Sequence, residues 1–492
     1  MTTSPAAALL ALTAMLGLGA CTVGPDYARP AVQIPADWRI GYERAADVAD
    51  TRWWEQFDDP ALNGLIDIAL RENLDVRIAA ARVDQFLGTL QAVSAQAFPQ
   101  AGYGADVSRN RASREGAPPL PPGANPYVTL YQANLAATWQ IDLFGRVRRQ
   151  SEAAQAQVYA SEQGRRGVVL TLVTSVANSY IALRALDQQR EIAAMTAANF
   201  GETARIFDLR FRSGVVSQTE VEQVRSQYQQ ALAAIPAFEQ QIATLENLIS
   251  ILLGQASAPI PRGRTIDELV APAIPAGLPA ELLARRPDIM QAEQNLVAAN
   301  ANVGAVRALY YPSLSLTGAL GSVSTAFGNF LSGPATAWSL AAAVSGPIFT
   351  FGAIGGQVRS AEALREQAEL AYRQTILNAL RDTNDALIGT QKTREGVELQ
   401  RARVDALREF ARLSRLKFEG GLVGYVEVLI ADNELFAARL ALVNLQANRY
   451  TQIVNVYRAM GGGWVDVADR STVRAQGAAG MEDGGKEGGA VR

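Results

Sequence analysis

The chain is written twice. Leu209-Arg210-Phe211-Arg212-Ser213-Gly214-Val215-Val216 returns as Leu416-Lys417-Phe418-Glu419-Gly420-Gly421-Leu422-Val423, an offset of 207 residues. The same offset pairs Phe144-Gly145 with Phe351-Gly352, Glu220-Val221 with Glu427-Val428, and Gly254 with Gly461. Upstream the offset is 213: Asp75 pairs with Asp288, and Phe98-Pro99 with Tyr311-Pro312. The difference falls where the first copy carries a Pro-rich loop, Ala117-Pro118-Pro119-Leu120-Pro121-Pro122-Gly123. A tandem repeat of this kind fixes the architecture before any single element is assigned.

Each copy predicts the order helix, two strands, very long helix, turn, helix. The first helix opens after Asp58-Asp59-Pro60, an N-cap followed by proline, and stops at Phe98-Pro99. Over 127–143, Tyr131, Leu135, Trp139 and Ile141 share one face while Gln132, Asn134, Thr138 and Gln140 share the other. The second copy keeps the phase, with Trp338, Leu340, Ala342 and Val344 opposite Ser339, Ala341, Ala343 and Ser345. Residues 313–320 alternate as well, Leu314, Leu316 and Leu320 against Ser315 and Thr317. Such strands suit a half-buried soluble sheet, or an outer-membrane barrel with an apolar outside and a small, polar inside. Four strands cannot close a barrel, because at least eight are needed; in a membrane they demand an oligomer.

After Gly145 the pattern stays helical from about 147 to 211, on the order of 100 Å at 1.5 Å per residue. Val169, Val173, Val176, Tyr180 and Leu183 step by four and three, a coiled-coil seam. Its second-copy counterpart, Ile376, Leu380, Thr383, Leu387 and Thr390, is more polar. Helices of that length belong to rods or to a helical tube.

Composition narrows the chemistry. There is no histidine, which removes Ser-His-Asp and Cys-His catalysis and histidine metal sites. One cysteine excludes an intrachain disulfide and any CxxC site. With 45 Lys and Arg against 48 Asp and Glu, no general attraction for nucleic acid exists. No GxxxxGK[ST] phosphate loop is present, and Gly461-Gly462-Gly463 reads as a helix stop. Asp382 and Asp385, three apart on a helix, read as a polar lumen-facing surface rather than a metal pair. An enzyme has no site here, and no cofactor or metal is called for.

Residues 6–20 are uncharged and mostly apolar, too short to span a bilayer but suited to the h-region of a signal peptide. They end in Leu18-Gly19-Ala20-Cys21, an order that resembles a bacterial lipobox, with Cys21 as the lipid attachment site. Thr22 follows where an Asp would resemble an inner-membrane retention signal, which points to the outer membrane. The n-region Met1-Thr2-Thr3-Ser4 departs from the pattern in having no Lys or Arg. No other stretch reaches 18 consecutive apolar residues.

Cys21-Thr22-Val23-Gly24-Pro25-Asp26-Tyr27, then Pro30, Pro35 and Trp38, then Trp53-Trp54 before a helix, resemble the mature start of the NodT-type outer membrane efflux lipoproteins. These belong to the TolC-like outer membrane factor family, and the likeness extends to about Gly463. It implies a mainly α chain with a β-barrel segment: a homotrimer whose 12-stranded barrel takes four strands per chain, above a periplasmic α-helical tube. It also implies a passive exit duct that docks on a periplasmic adaptor and an inner-membrane efflux pump. The division expected is signal peptide 1–20, lipidated N-terminal linker 21–58, repeat 1 over 59–254, linker 255–278, repeat 2 over 279–463, and a C-terminal segment 464–492 with a disordered tail from about 476.

Family members close the duct near the tips of the paired helices. That places adaptor docking at the turns around Gly214, Val215, Val216, Gly421 and Leu422, and a periplasmic gate at Val423, Glu427, Ile430 and Asp432. Members often carry acids at the positions of Glu427 and Ile430, and some carry Arg at that of Val423; here only Glu427 is charged. Two readings of Glu427 stay open, a carboxylate ring with Ile430 as an apolar constriction, or a solvated acid at a helix start. Glu220, its first-copy equivalent, reads as exposed on the outside. Gly145 and Gly352 are expected to let the chain bend where barrel becomes tube. A protein-secretion duct on the same fold and a structural coiled-coil lipoprotein are the alternatives.

Overall fold

The computed structural model describes residues 22–39, 51–115, 120–274, 279–461 and 464–472. The signal peptide expected over 1–20, Cys21 and the tail expected from 476 lie outside them. The main elements, in chain order, are α1 (Pro60–Glu72), α2 (Leu74–Ser94), β1 (Gln100–Arg111), β2 (Tyr127–Ile141), α3 (Arg146–Arg212) and α4 (Gln218–Leu252). Then come α5 (Pro287–Arg307), β3 (Ser313–Ser324), β4 (Thr336–Ser345), α6 (Ala353–Glu419), α7 (Tyr425–Met460) and the short α8 (Trp464–Asp469). The two long helices, α3 and α6, have 67 residues each, and both ends of one map onto the other at the repeat offset. The paired glycines agree as well: Gly145 and Gly352 have φ +77° and +85°, Gly214 and Gly421 +71° and +70°, Gly254 and Gly461 +71° and +62°.

Two compact units form, and each draws on both copies. The first holds the described residues within Met1–Ala31, Gln85–Ala160 and Ala292–Ala371; the second holds those within Val32–Asp84, Ser161–Gln291 and Tyr372–Arg492.

In the first unit the four strands make one antiparallel meander, β1-β2-β3-β4. The register sets Tyr103 opposite Leu135, Leu135 opposite Leu320, and Leu320 opposite Trp338. Directly opposed residues share a face, so this row and its neighbours two residues away form one apolar surface. The other face carries Asn134, Thr138, Ser315, Thr317 and Ser339, small and polar as the alternation predicts. The strands run 12, 15, 12 and 10 residues, with β3 reaching Ser324 rather than residue 320. β1 and β4 have no partner on their outer edges among the described residues. A strap formed by residues 22–29 lies against this unit. The Val23 N–H donates to Phe144 O at 3.2 Å, Asn300 Nδ2 donates to Pro25 O at 2.9 Å, and Arg29 grips Glu293 with two bonds of 2.6 and 2.7 Å. A Cβ on Gly145 would come 2.8 Å from Thr22 Cγ2, so glycine serves both its positive φ and this close approach.

The second unit holds the main core. The predicted seam is there: Val169, Val173, Val176, Tyr180 and Leu183 are fully buried, as are Ile376, Thr383 and Leu387 of the second. The buried hydroxyls of Thr383 and Thr390 are satisfied within the helix, donating to the carbonyls of Ala379 and Ala386. One stretch of α3 is apolar enough to be compared with a membrane span, but two thirds of it is buried inside the chain. Trp53, Trp54 and Phe57, within the stretch expected as a linker, are core residues: Trp53 stacks on Tyr457 at 4.8 Å and meets Trp464 edge-on.

One helix expected over 60–98 is two. Asp59 caps α1 as anticipated, its carboxylate accepting from Ala61 N and Leu62 N. The chain breaks at Asn73, whose ψ of 131° leaves the helical region. Its Oδ1 accepts from Val76 N and starts α2, while its Nδ2 donates to Leu252 O. A side chain that satisfies both the next helix start and a distant carbonyl favours the break.

Candidate functional site: the helical turns and the strand junctions

The two turns are Schellman caps with the same bonds. In copy one the Val215 N–H donates to Arg210 O and the Gly214 N–H to Phe211 O, both at 2.9 Å; in copy two Leu422 N–H donates to Lys417 O and Gly421 N–H to Phe418 O, at 2.9 and 3.0 Å. The left-handed glycine closes the helix, and the next residue is thrown outward. Val215 and Leu422 accordingly stand exposed at 70% and 78%. Beneath the turns Phe207, Val221, Val224, Tyr425, Val428 and Leu429 form a small core, with Val216 and Phe418 against it. Arg210 lies over both Phe207 and Phe418, at 5.9 and 5.8 Å from the ring centres.

Past the turns the copies diverge, and the divergence centres on Glu427. In copy one Ser217 caps α4 and Glu220 reaches back to it, Oε2 accepting from Ser217 N at 2.8 Å, a capping box. In copy two Gly424 stands where Ser217 would be and offers no side-chain cap. Glu427 instead turns to the preceding helix. Its Oε1 accepts from Ser414 Oγ at 3.3 Å and lies 3.5 Å from Lys417 Nζ. Asp432 does likewise, accepting from Arg415 Nη2 at 2.9 Å. Two carboxylates on α7 thus clip it to the end of α6. Ile430, between them in sequence, is 54% exposed, and Val423 is half-buried in the turn. Sequence reasoning missed Ser414, Lys417 and Arg415, although the Ser217-to-Gly424 replacement at the repeat offset was the signal that Glu427 had lost its local partner. Asp382, read as lumen-facing, is held by Arg381 at 2.6 Å.

Burial pushes the Asp432 carboxyl above the usual carboxylate range, with Arg415 and, more weakly, Arg439 pulling it back; burial, helped by the Asp432 charge, likewise raises the Tyr425 hydroxyl. A carboxyl that resists ionising when folded contributes most below its unfolded value of about 4, and that contribution fades as pH rises through the raised folded value. Asp432→Asn should therefore be at least as stable as wild type at neutral pH, and its relative advantage should shrink on acidification toward pH ~4. Urea denaturation in detergent across that range checks it; a wild type that gains on the variant as pH rises would mean that Arg415 outweighs burial.

At the opposite end of the long helices, Gly145 and Gly352 lie in the short connections from β2 to α3 and from β4 to α6. Phe144 stacks on Tyr311 at 4.7 Å beside the first of them.

A four-stranded sheet with one apolar face and, among the described residues, two open edges, joined through such glycines to helices of 67 residues, defines a class of outer-membrane channel protein. The chain belongs to the outer membrane efflux protein family, which it matches over residues 65–255 and 278–462. It is 32% identical over 463 residues to the solvent efflux pump outer membrane protein SrpC of Pseudomonas putida, covering 92% of this chain and 98% of that one. It is 30% identical to the probable outer membrane lipoprotein SilC of Salmonella typhimurium, covering 93% and 99%. Among solved structures, the open-state MtrE outer membrane channel of Neisseria gonorrhoeae superposes with a TM-score of 0.82 at 27% identity, over 93% of this chain and 100% of that one. The fold is that of the TolC-like channels, and the protein is an outer-membrane efflux channel.

Proposed function

We propose that three copies of this chain assemble into a passive exit duct, anchored by lipid on Cys21, that receives cargo from a periplasmic adaptor and an inner-membrane pump. The observation that carries the reading is the open meander: among the described residues β1 and β4 leave unpaired edges that lipid cannot satisfy, so copies must supply the missing neighbours. Three sets of four strands give twelve, within the size range of closed membrane barrels. The lipid is supported by the lipobox order and by a relative named as a lipoprotein. The two copies are taken as residues 59–254 and 279–463. Adaptor contact is assigned to the turns, where Val215 and Leu422 present apolar side chains to solvent beside Gly214, Val216 and Gly421.

The gate is assigned to Glu427, Ile430, Asp432 and Val423. Ile430 supplies the exposed apolar surface of a constriction, and the clips from Glu427 to Lys417 and from Asp432 to Arg415 hold α7 against α6. In planar bilayers Ile430→Ala should raise the resting conductance, since trimming an apolar ring widens the opening and relaxes dewetting. Glu427→Ala should weaken cation preference, whereas Lys417→Ala, which frees that carboxylate, should strengthen it. Conductance and selectivity unchanged in all three variants would move the gate elsewhere. No conductance from any of them would favour a scaffold over a duct.

A further inference from the structure

The apolar face of the sheet does not end in an apolar rim. Along β1, same-face positions run Tyr103, Ala105, Val107, Arg109 and Arg111, paired with Leu135, Ala133, Tyr131, Thr129 and Tyr127. The last apolar pair is Val107 with Tyr131. Arg109 stands one same-face step beyond it and Arg111 two, about 7 and 14 Å further along the strand. Both are at the hairpin end, away from the Gly145 junction. The Tyr127 ring supports both guanidiniums, at 5.6 and 5.8 Å from its centre. Among the described residues neither arginine makes an ion pair. Asp106, the one acid of β1, lies on the opposite face. Two uncompensated cations therefore stand on the lipid-facing side, just past an aromatic residue, where a bilayer changes from hydrocarbon to headgroup.

We infer that Arg109 and Arg111, braced on Tyr127, form a binding site for the phosphate groups of outer-leaflet lipid. Guanidinium forks match phosphate oxygens, and at this depth a lipid phosphate supplies both the counter-charge and the hydrogen bonds that hydrocarbon cannot. A soluble phosphate would meet the same forks, but continuity with the apolar face selects a headgroup whose tails lie along Val107 and Tyr131. The second hairpin has no counterpart. Its same-face rim pair is Ser322 with Thr336, followed by the exposed Phe327 and Leu331, so each chain carries one such site in its first copy alone.

The inference rests on the sheet entering a membrane, and the test separates the two. Full-length protein is mixed with phosphatidylcholine vesicles containing either bisphosphorylated lipid A or its dephosphorylated form, and co-floated lipid is measured after detergent extraction. Wild type should retain the phosphorylated lipid about thirtyfold better than Arg109→Gln/Arg111→Gln, two cations at an anionic surface each contributing several-fold. The Arg109→Lys/Arg111→Lys variant should keep most of that preference, which distinguishes lost charge from a misfolded sheet. Wild type and the Gln variant retaining the phosphorylated lipid equally would overturn the site, as would complete displacement of the lipid by inorganic phosphate at matched ionic strength. Wild type that fails to float even with pure phosphatidylcholine would overturn the membrane reading and the site together.

Discussion

Arg165→Ala should lower the unfolding free energy by about 3–5 kcal/mol, the usual loss when one partner of a buried ion pair is removed. Arg165 on α3 meets Asp469 at the end of α8 through two bonds, Nη1–Oδ1 at 2.5 Å and Nη2–Oδ2 at 2.7 Å. Their side chains are only 6% and 12% exposed. Thr472 completes the cage, accepting from Arg165 Nη1 and donating to Asp469 Oδ1 at 3.0 Å. Without the guanidinium, the Asp469 carboxylate stays desolvated with one hydroxyl for company. The double variant Arg165→Met/Asp469→Leu removes both charges and should recover most of the loss, because well-packed apolar side chains can replace a buried pair at little net cost. Denaturant unfolding in detergent gives both numbers. Equal losses in the single and double variants would mean that the arginine stem, not the charge pairing, holds α8.

Much of this chain can be read from its sequence, and the reason is repetition. Gly214 and Gly421, or Gly145 and Gly352, each invite several interpretations alone; as pairs at one offset they mark the same turn twice, and the structure gives each pair nearly the same φ. The seam residues were equally legible, since helical periodicity needs only local sequence. β1 was not. Its apolar face offers only Ala101, Tyr103, Ala105 and Val107 before the arginines, and Gly102 and Gly104 thin out the other face, so its alternation emerges only beside β2. The break at Asn73 was hidden for a different reason, because half of what stabilises it is Leu252 O, 179 residues away. Arg165 and Asp469, 304 residues apart, left no trace in any local window. The site residues divide the same way. The family resemblance at the second turn singles out Glu427 and Asp432 as gate candidates, while the partners the structure gives them on α6 depend on how two helices face each other.

Asp59→Ala should be at least as damaging, at about 3–7 kcal/mol, because one fully buried carboxylate serves four donors. Its Oδ1 accepts from Ala61 N at 2.8 Å and Leu62 N at 3.3 Å, which caps α1. Its Oδ2 accepts from Tyr180 Oη at 2.8 Å and from Arg264 N at 3.0 Å, which ties the 255–274 stretch to the start of the first copy. The Gly263 N–H closes the network on Tyr180 Oη at 2.9 Å, and a Cβ at Gly263 would come 2.0 Å from Asp59 Oδ1. Burial and the bond to Asp59 both hold the Tyr180 hydroxyl well above its ordinary pKa, so it remains a donor throughout the physiological range. Losing the cap costs about 1 kcal/mol, and each buried donor left without an acceptor costs about 1–3 more. The graded series then separates the contributions. Tyr180→Phe removes one donor to Asp59 but leaves the Gly263 N–H without its acceptor, and should cost about 1–3 kcal/mol. Asp59→Asn keeps an oxygen for the cap but sets an amide N–H2 against the Arg264 N–H, and should fall between the two. Melting curves in detergent rank the three. A Tyr180→Phe loss as large as that of Asp59→Ala would show that the tyrosine hydroxyl, not the carboxylate, organises this junction.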